Sequence, residues 1–243
     1  MIIIINKLFL FFLKIINTIG KGLTYKKQIL SIKRVLTINF KENSNFNFIQ
    51  IGANDGISFD FLYEFVSKRN SSGIVVEPIR AYYNELVNNY SKFSEIIPIN
   101  KAVHPTEKQV TIYKIDENKY NLYPDWVKGI ASLDPDHHKK LQIKSEDIVQ
   151  ETVVAEALMD IINTYYKKSK VDFFQIDTEG FDYEILKMIA FNQIKPSIIK
   201  YESVNLSKTE QIEAVTLLKG QGYYIIHEGG DTIGYDFKKI SLL

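Results

Sequence analysis

The chain predicts an α/β domain on a mostly parallel sheet, with helices on both faces and an antiparallel hairpin at the end. Three observations lead there. From residue 46 onward short apolar runs alternate with amphipathic segments, the pattern of βαβ units. Runs such as "FFQI" and "SIIKY" are almost uninterruptedly apolar, as strands covered on both faces must be. The last stretch, "GYYIIHEGGDTIGYDF", sets two short apolar runs around a Gly-Gly turn, which is a hairpin signal.

The elements follow in order. "NFIQI" reads as the first strand and residues 58–68 as a helix. "GIVVEP" is a second strand, followed by a helix over 80–90, and "SEIIPIN" is a third strand. "KVDFFQID" and "PSIIKYES" are the fourth and fifth, followed by helices over 182–190 and 207–219. Between the third strand and the helix "AEALMDIINTYY" lie about fifty residues, 104–153, with room for a hairpin. An insertion of that length is expected to cover the ligand crevice and to recognise substrate.

A length of 243 residues and 45% apolar composition suffice for one sizeable core. The formal charge of +1 gives no reason to expect a nucleic-acid groove. With no cysteine in the chain, disulfides, thiolate metal sites and cysteine nucleophiles are excluded. Residues 1–45 read as an apolar and basic helical extension ahead of a domain over 46–243, with "KENSN" as the linker. Asn6, Lys7 and Lys14 interrupt the apolar start, which leaves three readings: a helix lying in a membrane interface, a helix packed on the domain, or a true anchor. No small-residue cleavage pattern follows it.

The chemistry gathers at "IGANDG". In an open parallel sheet this turn lies at the carboxyl end of the first strand, where ligands bind. A dinucleotide fingerprint needs glycine where this chain has Asn54 and Ile57, and Asp55 would face a pyrophosphate, so NAD fits badly. S-adenosylmethionine fits better. Gly52 and Gly56 would admit it to the backbone, Asp55 would oppose its positive charge, and Glu77, 21 residues past Gly56, would accept the ribose hydroxyls.

"FIQIGANDGISF", "VVEP", "NKAV" and "VDFFQIDTEGFDYEIL" together resemble the FkbM-type family of S-adenosylmethionine-dependent methyltransferases, from about residue 46 to 235. The resemblance implies a Rossmann-like class I methyltransferase fold with a seven-stranded sheet, and methylation of a hydroxyl on a carbohydrate or related metabolite. The general methyltransferase pattern puts an acid two residues before the first glycine, and this chain departs from it with Gln50. The expected cofactor contacts are Gly52, Asn54, Asp55, Gly56, Glu77, Ala102 and Asp177, and the expected catalytic residues are Asp177, Glu179 and His137.

Methyl transfer to oxygen is an in-line displacement that needs positioning and removal of a proton, for which Glu202 and His138 are further candidates. Asp177, Glu179 and Glu202 would suit Mg²⁺ by ligand type, but acids at strand ends are common and no metal is expected. Asp182 and Glu184 read as first-turn acids favoured by the helix dipole. The expected partners are a small-molecule or glycan acceptor and no nucleic acid, with peripheral membrane contact through residues 2–16. The expected location is the cytoplasm, at the inner membrane face where that contact is made. Two rival functions stand beside this one: a cofactor-binding regulatory module without turnover, and a nicotinamide-dependent oxidoreductase.

Overall fold

The computed structural model describes residues 1–18 and 28–243. Two helices, α1 (Ile2–Thr18) and α2 (Ile32–Asn39), precede the sheet. The basic amphipathic helix that "YKKQILSIKRVL" predicts, ending near Asn39, begins outside the described residues, and α2 ends at Asn39. The first half of the domain runs β1 (Asn45–Ile51), α3 (Leu62–Ser67), β2 (Asn70–Val76), α4 (Arg80–Tyr90) and β3 (Ile96–Ile99). The second half runs α6 (Leu158–Tyr165), β8 (Phe173–Ile176), α7 (Asp182–Met188), β9 (Ile198–Glu202), α8 (Lys208–Gly220), β10 (Tyr224–Glu228) and β11 (Asp231–Tyr235). Between the halves lie β4 (Ala102–Val103), β5 (Gln109–Ile115), β6 (Ala131–Ser132), α5 (His137–Lys140) and β7 (Ile148–Glu156).

The main sheet has seven strands in the order β3-β2-β1-β8-β9-β11-β10. All neighbours pair in parallel except β11, which runs antiparallel to both β9 and β10. Strand order reverses at β1, which lies between β2 and β8, so the crevice opens beyond the carboxyl ends of β1 and β8.

Burial explains the unbroken apolar runs. Phe48, Phe173 and Ile198 point to one face, where they join Val35 and Leu36 of α2, Leu62 of α3 and Leu86 of α4. Their chain neighbours Ile49, Phe174 and Ile199 point to the other face and pack on α6, α7 and α8. Ser207 and Glu210 form a reciprocal capping box that starts α8.

Two predicted elements come out differently. The helix expected over 58–68 begins only at Leu62, because Asp55 and Asp60 accept the amides of residues 57, 58 and 62 in tight local turns. In the insertion, β5 pairs on one edge with the two-residue β6 and, over its whole length, on the other with the nine-residue β7, antiparallel over Gln109–Ile115 and Ile148–Val154. With β4 and β6 these strands form a second, four-stranded sheet.

Candidate active site

Gly52 and Gly56 are glycines for the chain's own sake. Gly52 adopts φ +77°, and a Cβ there would lie 1.7 Å from the carbonyl oxygen of Asp177. What approaches it closely is the end of β8. A Cβ on Gly56 would lie 2.5 Å from Tyr90 and 2.6 Å from Leu86, both on α4. Gly52 still borders the cleft, whereas Gly56 lies outside its lining. Asp55 is a further correction. Its carboxylate accepts the amides of Ile57 (2.9 Å) and Ser58 (2.7 Å) and the Ser58 hydroxyl (2.6 Å), so it shapes the turn and does not line the cleft.

Glu77 stands where the sequence places it, at the end of β2, bordering the cleft and 5% exposed. One carboxylate oxygen accepts the Asn54 amide and the other the Ile79 amide, both at 2.8 Å. These amides fix the carboxylate and leave each oxygen a lone pair for a ligand hydroxyl. Burial pushes its pKa up to about 7, against the pull of the two amides. Asn54 also lines the cleft, and its side-chain amide donates to the Lys128 carbonyl (3.3 Å), tying the first turn to the insertion.

An arrangement that sequence reasoning missed lies at the other end of the cleft. Gln50, Gln175 and Lys200 are cross-strand neighbours on β1, β8 and β9. The side-chain amides of Gln50 (2.7 Å) and Gln175 (2.6 Å) both donate to one oxygen of Asp60, and Lys200 is paired with Asp231 at 2.9 Å. The carbonyl oxygens of Gln50 and Gln175 are buried without a partner among the described residues. Asp60 and both glutamines line the cleft. Two orphaned acceptors beside a carboxylate make a cradle for a cationic group with several N–H donors. Asp60 thus supplies the negative charge that Gln50 lacks.

The third wall is acidic. Carboxylate oxygens of Asp177, Glu179 and Glu202 lie within 4.8 Å of one another. Asn205 donates to Glu179 (2.7 Å) and Glu202 (2.8 Å), and His137 Nε2 contacts Glu179 at 3.1 Å. Asp177 lines the cleft, and none of the described residues donates a hydrogen bond to its carboxylate. Burial, then the charge of Glu202, holds Asp177 well above the usual carboxylate range. Burial and the charge of Glu179 push Glu202 up to about 8. The three acids could each offer one oxygen to a divalent cation.

His137 sits differently from the sequence expectation. It is buried behind Glu179, does not line the cleft, and acts by holding that carboxylate. His138 is likewise buried and contacts Ser145. Asp182 is fully buried and accepts from the Thr178 amide and hydroxyl and from the Glu202 amide, pinning the loop after β8 to β9.

Between these walls is a cavity of about 280 Å³. Ala102 borders it in an apolar section with Val103, Ile112 and Leu133, so the insertion does line the crevice. Asn54, Phe59 and Glu179, all on its wall, hold left-handed backbone conformations (φ +48°, +61° and +53°) that non-glycine residues rarely adopt. Such strain persists where the surroundings enforce it, and it concentrates at functional sites.

A parallel sheet ending in an antiparallel strand, with a carboxylate on β2 and a turn after β1 facing one cleft, defines a class I S-adenosylmethionine-dependent methyltransferase fold. Residues 50–225 match the family described as "Methyltransferase FkbM domain", and the chain belongs to that family. Family and fold imply use of S-adenosylmethionine.

No curated protein matches the chain. Among solved structures it is similar to the methyltransferase FkbM from Methylobacillus flagellatus KT, with 15% identity and a TM-score of 0.49 over 79% of this chain and 44% of that one. It is also similar to the precorrin-6y C5,15-methyltransferase from Geobacter metallireducens GS-15, with 10% identity and a TM-score of 0.44 over 86% and 92%. A third is the fibrillarin pre-rRNA processing protein of Methanococcus jannaschii, with 16% identity and a TM-score of 0.43 over 79% and 67%.

Residues whose chemistry could hold that cofactor border the cleft. Glu77 would take the ribose diol, the apolar section around Ala102 the adenine, and Asp60 with the two orphaned carbonyls the ammonium of the methionine end.

Proposed function

We propose that the protein methylates a hydroxyl of a carbohydrate or related neutral metabolite, with Asp177 as the base. The carrying observation is the Asp177 carboxylate: it lines the cleft, holds no partner among the described residues, and is raised in basicity by its surroundings. S-adenosylmethionine, when bound, supplies the electrophilic methyl group and the leaving group. The chain then has to exclude water, orient the acceptor and remove one proton.

Burial first, then the neighbouring carboxylates Glu202 and Glu179 where they are ionised, favour Asp177 taking that proton, and His137 and Asn205 hold those two carboxylates in place. The acidic wall also disfavours a polyanionic acceptor and suits a polyol, which can donate to several carboxylates. Trp126 borders the cleft half-exposed and offers a flat apolar face to a sugar ring.

The test is methyl transfer from labelled cofactor across a panel of neutral glycans and hydroxylated metabolites, with an RNA and an amine acceptor as comparisons. Turnover of RNA or of the amine alone would overturn the reading.

The acids give a pH signature with a definite sign. The base works deprotonated, so activity falls as pH drops through the raised pKa of Asp177. Removing the like charge of Glu202 lowers that pKa. Glu202→Gln is therefore expected to keep activity to lower pH than the wild type, read as a shift of the acid limb of log kcat/KM. A limb that stays in place or moves to higher pH contradicts the coupling.

A further inference from the structure

We infer that α1 docks the protein on an anionic lipid surface, with the helix lying in the plane of the interface. This goes beyond methyl transfer and does not depend on it. One face of α1 belongs to the domain. Asn6 is fully buried, donates to the Ile240 carbonyl (2.8 Å) and accepts the Leu242 amide (3.1 Å), and Leu13 is buried on the same side. These contacts fix how the helix is rotated on the protein.

Among the described residues the opposite face has no such cover. Ile4, Ile5, Leu8, Phe11 and Phe12 are between 39% and 61% exposed, and the spacing of 4, 8 and 11 makes them one stripe along the helix. Isolated exposed apolar residues are ordinary, but five on one helical face are a contact surface.

Charge selects the occupant. The first 41 residues contain eight Lys and Arg and no acid, the first acid being Glu42. Since the whole chain has 30 basic and 29 acidic residues, residues 42–243 carry 22 against 29. The near-neutral total therefore conceals a basic N-terminal segment on an acidic domain. Lys7 and Lys14 are exposed and seven residues apart, which puts them on one edge of the apolar stripe. From there their stems can run along the acyl boundary while the ammonium groups reach the headgroups.

A second copy meeting this face would bring the two basic segments together, whereas anionic lipid meets them with opposite charge. No helix among the described residues is long and apolar enough to cross a membrane, so the stripe lies on the bilayer and does not span it.

The experiment is vesicle co-sedimentation of the full chain, with equal parts phosphatidylglycerol and phosphatidylcholine against phosphatidylcholine alone. Light scattering without lipid is run in parallel. The expected result is partitioning to the anionic vesicles, about tenfold or more stronger than to the neutral ones and weakened by salt. The double variant Phe11→Ser, Phe12→Ser should lose that partitioning and keep the wild-type melting temperature, both side chains being mostly in solvent. Equal partitioning of variant and wild type overturns the inference, as does absence of binding to either vesicle. A dimer that the double variant dissociates, without lipid binding, would make a second copy the occupant and overturn it too.

Discussion

Asp177→Asn is expected to lower kcat by about 10²–10⁴-fold, the usual contribution of a positioned base, with whichever acceptor the wild type turns over. The substitution keeps the shape of the side chain and removes its capacity to accept the acceptor's proton. Affinity for S-adenosylhomocysteine should stay within a few-fold, because in the proposed reading the cofactor's ends would be held by Glu77 and by Asp60 with its glutamines.

Stability should not fall. A carboxyl group whose pKa is raised on folding binds more protons in the folded state than in the unfolded one. Its contribution is therefore fully present below the unfolded value and is lost as pH rises through the folded one. At neutral pH the neutral asparagine removes that cost. A variant that is folded, binds cofactor and retains wild-type kcat would show that Asp177 takes no proton.

Gly52→Ala should have the largest effect on folding. Two costs add at this position. The left-handed conformation costs an L-residue about 1–2 kcal/mol. The added methyl would also lie 1.7 Å from the Asp177 carbonyl oxygen, a backbone atom that cannot move without opening β8 from β1 at the point where strand order reverses. A loss of about 4 kcal/mol or more is expected, which is a large share of the 5–15 kcal/mol that holds an ordinary domain. Gly222→Ala is the control: φ there is +86° but nothing lies within 4 Å, so only the conformational cost applies. Denaturant titration of the two variants separates clash from conformation. Near-equal losses would mean that the β1–β8 junction yields easily.

The sheet was legible because its physics is local. Phe48 and Ile49, Phe173 and Phe174, and Ile198 and Ile199 each bury both faces of a strand, and that requirement writes unbroken apolar runs into the sequence. Gly229 and Gly230 mark the hairpin for an equally local reason. By contrast β7, "IVQETVVAE", carries polar residues on its more exposed side and finds its partner across residues 116–147, so no short window reveals it.

The site was legible in part. Glu77 and Asp177 end strands, and the crevice lies beyond strand ends, so position alone marks them. Gly52 and Gly56 were read at the right places for a different reason: glycine reports close approach but not what approaches. Asp60 left no local sign. Its place at the cleft follows from Gln50 and Gln175 standing side by side on β1 and β8, a cross-strand register that a linear sequence does not display.

The most direct measurement is calorimetric titration of S-adenosylhomocysteine and of methylthioadenosine, which lacks the amino-acid end. It should be run above the Glu77 pKa of about 7, so that this carboxylate is charged. The wild type should bind both. Glu77→Ala should weaken both by up to about 3–6 kcal/mol, the value of two charge-assisted hydrogen bonds, and Asp60→Asn should weaken only the homocysteine compound. A wild-type protein that binds neither, or a Glu77→Ala variant with unchanged dissociation constants, would contradict the placement of the nucleoside in this cleft.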